Sequence, residues 1–369
     1  MVVAFYTPLA INYTWPLFFP GTSRLQDGVN TLLNGRDYAV GQGSVESVRH
    51  MAYQQYRVIL LIHTVLGSTA LVLAMFQFST RLRVRYASVH RWTGRTYLAL
   101  MTVSMVTALM FLFFTPPADH FIGPAFETQL RGLAVTTLGS AWYAVYAIRR
   151  HDVISHRAWM TYSVAFMMTA PLLRVLWISL QPFIPQHDLL TNLGAASLIL
   201  GVVAPGTAAM LFVATRHDSS TGEDLSVSVW RYAAILALAA VGSGIYTAMT
   251  LRLPEPIPHT LVLYLVVPLA CVIALTLIGV RNARTHGNAT RERQWRWILL
   301  GFACAPLSTA LYSLIVPPSF TPADGVIAGG MDGPVITITI ALAMVVRSAV
   351  RAESGAAVDT QPSTERTPA

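Results

Sequence analysis

Histidine and arginine carry most of the chemistry this chain can offer. His63 lies inside an otherwise apolar run, 57–78, and Arg174 lies inside another, 158–180. If both runs are helices rising 1.5 Å per residue, each side chain starts ~9 Å in from the same edge. An imidazole there can bind a metal or exchange a proton. A guanidinium in hydrocarbon calls for a carboxylate, a phosphate or a ligand oxygen. The pair therefore reads as a clamp for a lipophilic or anionic small molecule. The structural alternative has Arg174 snorkelling outward and His63 bonded to a neighbouring helix.

Two further histidines sit in loops of similar design. One loop reads RLRVRYASVHRWTGRTY and the other RRHDVISHRAWMTY. Each sets a His-Arg pair before an apolar run, with Trp and Tyr close behind: His90, Arg91, Trp92 and Tyr97 in the first, His156, Arg157, Trp159 and Tyr162 in the second. The two hairpins form a weak internal repeat. Membrane anchoring selects Arg, Trp and Tyr at such positions but not His. Two imidazoles on facing helices can ligate a haem b iron axially, with Arg91, Arg95 and Arg157 available to its propionates. In that reading His63 serves a separate outer site, with Arg174 as its anion clamp. The plainer reading has both His-Arg pairs at lipid headgroups. His151 is an alternative to His156, but Asp152 beside it favours solvent.

These residues need elements to position them, and composition says which. Of 369 residues, 54% are hydrophobic and 11% charged, against ~25% charged in ordinary globular chains. Mean hydropathy is +0.53. Disorder, collagen and a disulfide scaffold are excluded. A membrane-crossing helix takes ~20 mostly apolar residues. Segments 57–78, 97–115, 131–148, 158–180, 193–214, 231–250, 260–280, 297–316 and 333–350 qualify, and 3–20 is a tenth candidate carrying Pro8, Asn12 and Pro16. No basic residue precedes 3–20, which argues against a cleaved signal peptide. The fold class is all-α, a polytopic helical membrane bundle of 9–10 transmembrane helices. It divides into 1–56 (a first helix and an outer polar segment), a four-helix unit at 57–180, a five-helix unit at 181–351, and a disordered tail at 352–369.

Every basic residue is an arginine, and net charge is +8. One set of alternate loops holds 18 arginines and the other 6. The rich set should face the cytoplasm of a plasma (inner) membrane, with the C-terminus inside and 21–56 outside. Arginine in short loops points to the bilayer and its anionic lipids as partners, not to nucleic acid. The 17 acidic residues all fall in loops, ends or the tail on these boundaries. That weakens a proton-driven transporter, which carries acidic groups along its path, and ranks a membrane enzyme last. The stretch 317–332 reads as an outer flap or connector. Cys271 and Cys304 lie in apolar runs as packing residues, and no ligand cluster has zinc spacing. Pro171, Pro205, Pro268 and Pro306 near mid-span, with Gly194, Gly201 and Gly206, speak for kinked, close-packed helices; a central ligand cavity is the lesser alternative.

The run from His63 to Gln77-Phe78, followed by His90-Arg91-Trp92-Thr93-Gly94-Arg95-Thr96-Tyr97, resembles a family of bacterial integral membrane proteins catalogued as a domain of unknown function. Arg149-Arg150-His151-Asp152 with His156-Arg157-Ala158-Trp159-Met160, and then Arg174, is similar to its second signature. The resemblance covers roughly 57–180, with 3–20 as its first helix. It implies a membrane domain of four to five helices and no established reaction.

Overall fold

The computed structural model describes residues 2–42, 44, 51–116, 120, 123–184, 189–216, 228–253, 259–315 and 320–359. Among these there are helices and no strands. Short helices come first: α1 (Val2–Tyr13), α2 (Leu25–Asn34), α3 (Arg36–Val40) and α4 (Met51–Gln55). The first bundle then runs through α5 (Arg57–Gln77), the short α6 (Thr80–Arg85), α7 (Ala87–Phe114), α8 (Pro124–Arg149), α9 (Val153–Met167) and α10 (Thr169–Ser179). The second comprises α11 (Leu189–Thr215), α12 (Val229–Leu251), α13 (Leu261–Thr285), α14 (Ala289–Ile315) and α15 (Pro322–Asp359).

Eight helical stretches among the described residues are long and apolar enough to cross a membrane: α5, α7, the α9–α10 pair, and α11 to α15. Their outward faces stay apolar, with Val58, Val103, Val106, Leu263 and Val267 all exposed. In water that surface would collapse inward; lipid is the solvent that leaves it facing out. The segment 131–148 forms α8, which is long enough at 26 residues but falls outside the eight. Its small and hydroxyl residues instead face protein, with Ala134, Thr137, Ser140, Ala141 and Ala144 buried.

Four expectations change. The segment 3–20 is not among those eight. Its helix stops at Tyr13, and Pro16 starts a 3-10 turn, Trp15–Leu17. Twelve residues span only ~18 Å. The run 158–180 breaks at Met168 into α9 and α10. Pro171 has no N–H for the carbonyl of Met167, so the helix cannot continue unbroken there. The connector read at 317–332 is helical from Pro322, and α15 carries the whole GGMDGP run inside it. Gly201 on α11, and Thr309 and Ser313 on α14, come so close that a Cβ on Gly329 or Gly333 would meet Thr309 atoms at 2.5–2.6 Å, and one on Gly201 would meet the Met331 carbonyl at 2.6 Å. Glycine there serves close helix approach, not a turn. Finally, α15 continues to Asp359, so the stretch read as a disordered tail begins as helix; residues 360–369 lie outside the described residues, as do 45–50 and 316–319.

The described part of the polar segment 21–56 packs as a folded cap on α10 and α11. Asn34 of α2 donates to the Ile178 carbonyl at 2.9 Å. Asn192 of α11 donates to the Tyr38 hydroxyl at 3.0 Å and to the Trp177 carbonyl at 3.3 Å. Tyr38 itself donates to Trp177 O at 3.4 Å. Burial pushes the Tyr38 hydroxyl above its usual range, against the pull of Asn192, so it keeps the proton it donates. These bonds satisfy carbonyls that the end of α10 leaves open.

Candidate functional site

The helices α1, α5, α7, α8 and α10, with Leu200 of α11, enclose a mostly apolar cavity of about 230 Å³. His63 and Arg174 both line it. His63 Nδ1 lies 2.8 Å from the Ser104 carbonyl. A carbonyl only accepts, so the ring proton is assigned to Nδ1 and Nε2 is left as an acceptor. No described residue bonds that Nε2. Ser104 Oγ in turn donates to the His63 carbonyl at 2.8 Å. Gly67, one turn on, makes room for this: a Cβ there would sit 2.7 Å from Ser104 Oγ. The α5–α7 contact is thus built around holding the imidazole in one orientation.

Arg174 is placed by α10 and by α1. Its guanidinium lies 4.3 Å from the Tyr13 ring centre and 5.4 Å from that of Trp177. Arg24 also lies over the Tyr13 ring, at 4.7 Å, and donates to the Tyr13 carbonyl at 3.2 Å. Both arginines, Tyr13 and Trp177 line the cavity, and no carboxylate is among the described residues that do so. Cation–π stacking fixes a guanidinium plane while its N–H edge still points along that plane. Sequence reasoning found His63 and Arg174 but counted Arg24 as a loop charge and did not name Tyr13 or Ser104.

His90, His151 and His156 stand at the arginine-rich end. Ser104, which holds His63, is fourteen residues from His90 on the same helix, or ~21 Å away along its axis. No single ligand of haem size joins the two ends through direct ligation by both. His90 and His156 are within electrostatic reach of each other, with Arg83 and Arg91. His156 Nδ1 is 3.0 Å from the Ala144 carbonyl, which leaves its Nε2 as an acceptor. Gln77 reaches His90: in the orientation that satisfies its surroundings, its amide nitrogen donates to His90 Nδ1 at 3.1 Å, and its oxygen accepts from Thr93 Oγ1 at 2.6 Å. Gly94 lets that side chain in, since a Cβ would lie 3.1 Å from the Gln77 amide nitrogen in this orientation. Arg91, Arg95 and Arg157 are exposed, with Arg95 over the Trp92 ring at 5.2 Å. His151 is exposed with φ of 61°, in the left-handed turn between α8 and α9. Asp152 accepts from the Ser155 amide at 2.9 Å and caps α9. The R-R-H-D signature is therefore a helix stop followed by a helix start. No group of three or more His, Cys, Asp or Glu suited to a metal ion occurs among the described residues.

Glu127 and Glu292 stand at helix ends, as the sequence suggests, but Asp332 lies inside a long helix, against the sequence expectation. Glu127 begins α8 and pairs with Arg131; Glu292 begins α14. Asp332 lies in the interior of α15, nine-tenths buried. Asp332 closes the stretch 317–332, and Gly330, Gly333 and Pro334 beside it are turn formers by composition.

The fold defines a class: a multi-pass helical membrane protein. Within it, residues 60–206 match the family model described as "Predicted membrane protein (DUF2306)", so this segment, α5 through most of α11, is similar to that family. No curated protein and no solved structure matches the chain.

Proposed function

We propose that this protein binds an amphipathic acid, a molecule with an apolar body and an acidic oxygen head, in the α1–α5–α7–α8–α10 cavity. The observation that carries this is the meeting of His63 and Arg174 on one apolar cavity. Nε2 of His63 accepts a hydroxyl proton, the Arg174 edge donates to the other oxygen, and the apolar walls take the body. The arginine-rich end is then the cytoplasmic face of the plasma membrane. There the exposed Arg81, Arg83, Arg85, Arg91 and Arg95 meet anionic lipid, and the cavity lies nearer the opposite face.

A bromine-labelled medium-chain fatty acid tests the reading, because bromine quenches tryptophan on contact and Trp177 lines the cavity. The acid should quench a component of the emission that Trp177→Phe removes. Arg174→Ala should weaken binding ~10-fold or more, for a charge-assisted bond worth ~1.5–3 kcal/mol. Equal quenching in Arg174→Ala and His63→Ala would sink the assignment.

The electrostatic reach between His90 and His156 favours a second reading, haem b at the arginine-rich end. His156 suits an axial ligand, and Arg91, Arg95 and Arg157 suit propionates in kind. His90 fits only if Gln77 turns its oxygen to Nδ1, since a donor there puts the ring proton on Nε2. Haem would supply one-electron chemistry. A reduced-minus-oxidised spectrum of detergent-purified protein should then show a b-type signal that His90→Ala and His156→Ala abolish; a spectrum unchanged in both variants removes them as ligands.

A further inference from the structure

A second, smaller cavity of about 20 Å³ adjoins the first and shares Gln129, Leu133, Thr169 and Leu200 with it. Asp332 of α15 lines this small space. The Tyr312 hydroxyl donates to its carboxyl. The other oxygen, Oδ2, is buried and accepts no hydrogen bond from any described residue. Oε1 of Gln129, on α8, is buried and unpartnered in the same way. Gly132, one turn from Gln129, leaves the carboxyl its room, since a Cβ there would lie 3.0 Å from Asp332 Oδ1. Two acceptor oxygens thus line one small cavity with no donor assigned to either. The space is enough for one water molecule.

The charges around this site do not neutralise a carboxylate. From α14 the titratable neighbour is Tyr312. From α8, Arg131 is turned to Glu127 and to the Leu112 carbonyl. From α9 and α11 the lining residues are Phe166, Leu200 and Gly201, none of them ionisable. From α12, Tyr246 donates to the Val326 carbonyl at 3.5 Å. An ionised carboxylate in this setting would lack the cation that buried carboxylates require.

We propose that Asp332 is an intramembrane proton-binding site, protonated at Oδ2 and hydrogen-bonded to Gln129 Oε1 directly or through one water, beside the acid-binding cavity. The proton comes from solvent and forms the Oδ2–H bond. Gln129 lines both cavities, so an occupant of the larger one touches the group that holds this proton. Proton binding here is independent of which molecule, if any, fills the larger cavity.

Infrared spectroscopy of the full chain in lipid nanodiscs reads the site without any ligand. At neutral pH the wild type should show a carboxylic-acid C=O stretch that shifts in deuterium oxide and is lost in Asp332→Asn. As a neutral isostere of the acid, Asp332→Asn should melt at or above the wild-type temperature. Gln129→Leu covers the case in which Asp332→Asn fails to fold: it should raise the frequency of the same band by removing its acceptor. Absence of an Asp332-dependent acid band overturns the proposal, as does a band unmoved by Gln129→Leu. A melting temperature raised by sodium chloride over choline chloride in the wild type but not in Asp332→Asn would assign the site to a metal cation instead. Failure of fatty-acid binding with the acid band intact would count against the larger cavity's role alone.

Discussion

Among the described residues of the last five helices two carboxylates are buried, and the protein treats them differently. Glu292, 1% exposed, stands in the first turn of α14 at the arginine-rich end. It accepts from the Tyr232 hydroxyl at 2.5 Å and from Arg284 Nε at 3.0 Å, and Arg284 stacks over the Tyr232 ring at 4.7 Å. One carboxylate therefore ties α12, α13 and α14, helped by the positive end of its own helix. Asp332, well inside α15 and away from either end, has Tyr312 and no cation within ion-pairing distance among the described residues. Near the lipid headgroups a long arginine can reach inward to a carboxylate while part of it stays solvated. Around Asp332 there is no such anchor, and a proton is the neutralising group the fold leaves available. Similar residues thus do structural work at one depth and present titratable chemistry at another.

Neutralising the partner of each carboxylate breaks the comparison open. Arg284→Leu leaves Glu292 buried without its cation and should cost ~2–4 kcal/mol, toward the lower end because the Arg284 side chain is 32% exposed and already partly screened. Thermal unfolding in detergent would register it as a clear drop in melting temperature. A loss below ~0.5 kcal/mol, the scale of an exposed pair, would mean that water reaches Glu292 and that the two sites do not differ in kind.

Much of this was legible in the chain. Eight of the nine apolar runs coincide with helices long and apolar enough to cross a membrane, because ~20 residues of hydrocarbon length is a strong and local signal; 131–148 does not. His63 and Arg174 were placed at one depth by helical rise alone, and they line one cavity. That depth argument could not show Tyr13 from α1, or Ser104 from α7, since those contacts join segments far apart in sequence. Asp332 was misplaced for a different reason. Gly329, Gly330, Gly333 and Pro334 signal a turn by local propensity, but close packing of α15 on α14 and α11 uses the same small residues and overrides it. The apolar residues on both sides of GGMDGP, continuous with the helix, were the available sign. Gln77 had a readable signal too. It stands one helix before a Gly in H-R-x-x-G-R, and the glycine is the space its amide fills.

The finest test of the comparison is steric. Gly132 is the residue that gives the Asp332 carboxyl its place, and a methyl group there would meet Oδ1 at 3.0 Å, with the carboxyl carbon at 3.6 Å. Gly132→Ala should gain some helix propensity, since alanine is the better helix former by ~1 kcal/mol. Against that, crowding a packed interior costs ~1–3 kcal/mol. The net expectation is a destabilisation of ~1 kcal/mol or less, carried by the contact with Asp332. In an Asp332→Ala background the crowding disappears while the propensity gain remains, so the same substitution should become stabilising. Coupling between the two positions would then be ~1 kcal/mol or more, within the range for residues in contact. Additive effects would show that the carboxyl swings away from α8 at no cost. Gly132 would then not define the small cavity, and Asp332 would be held by Tyr312 alone.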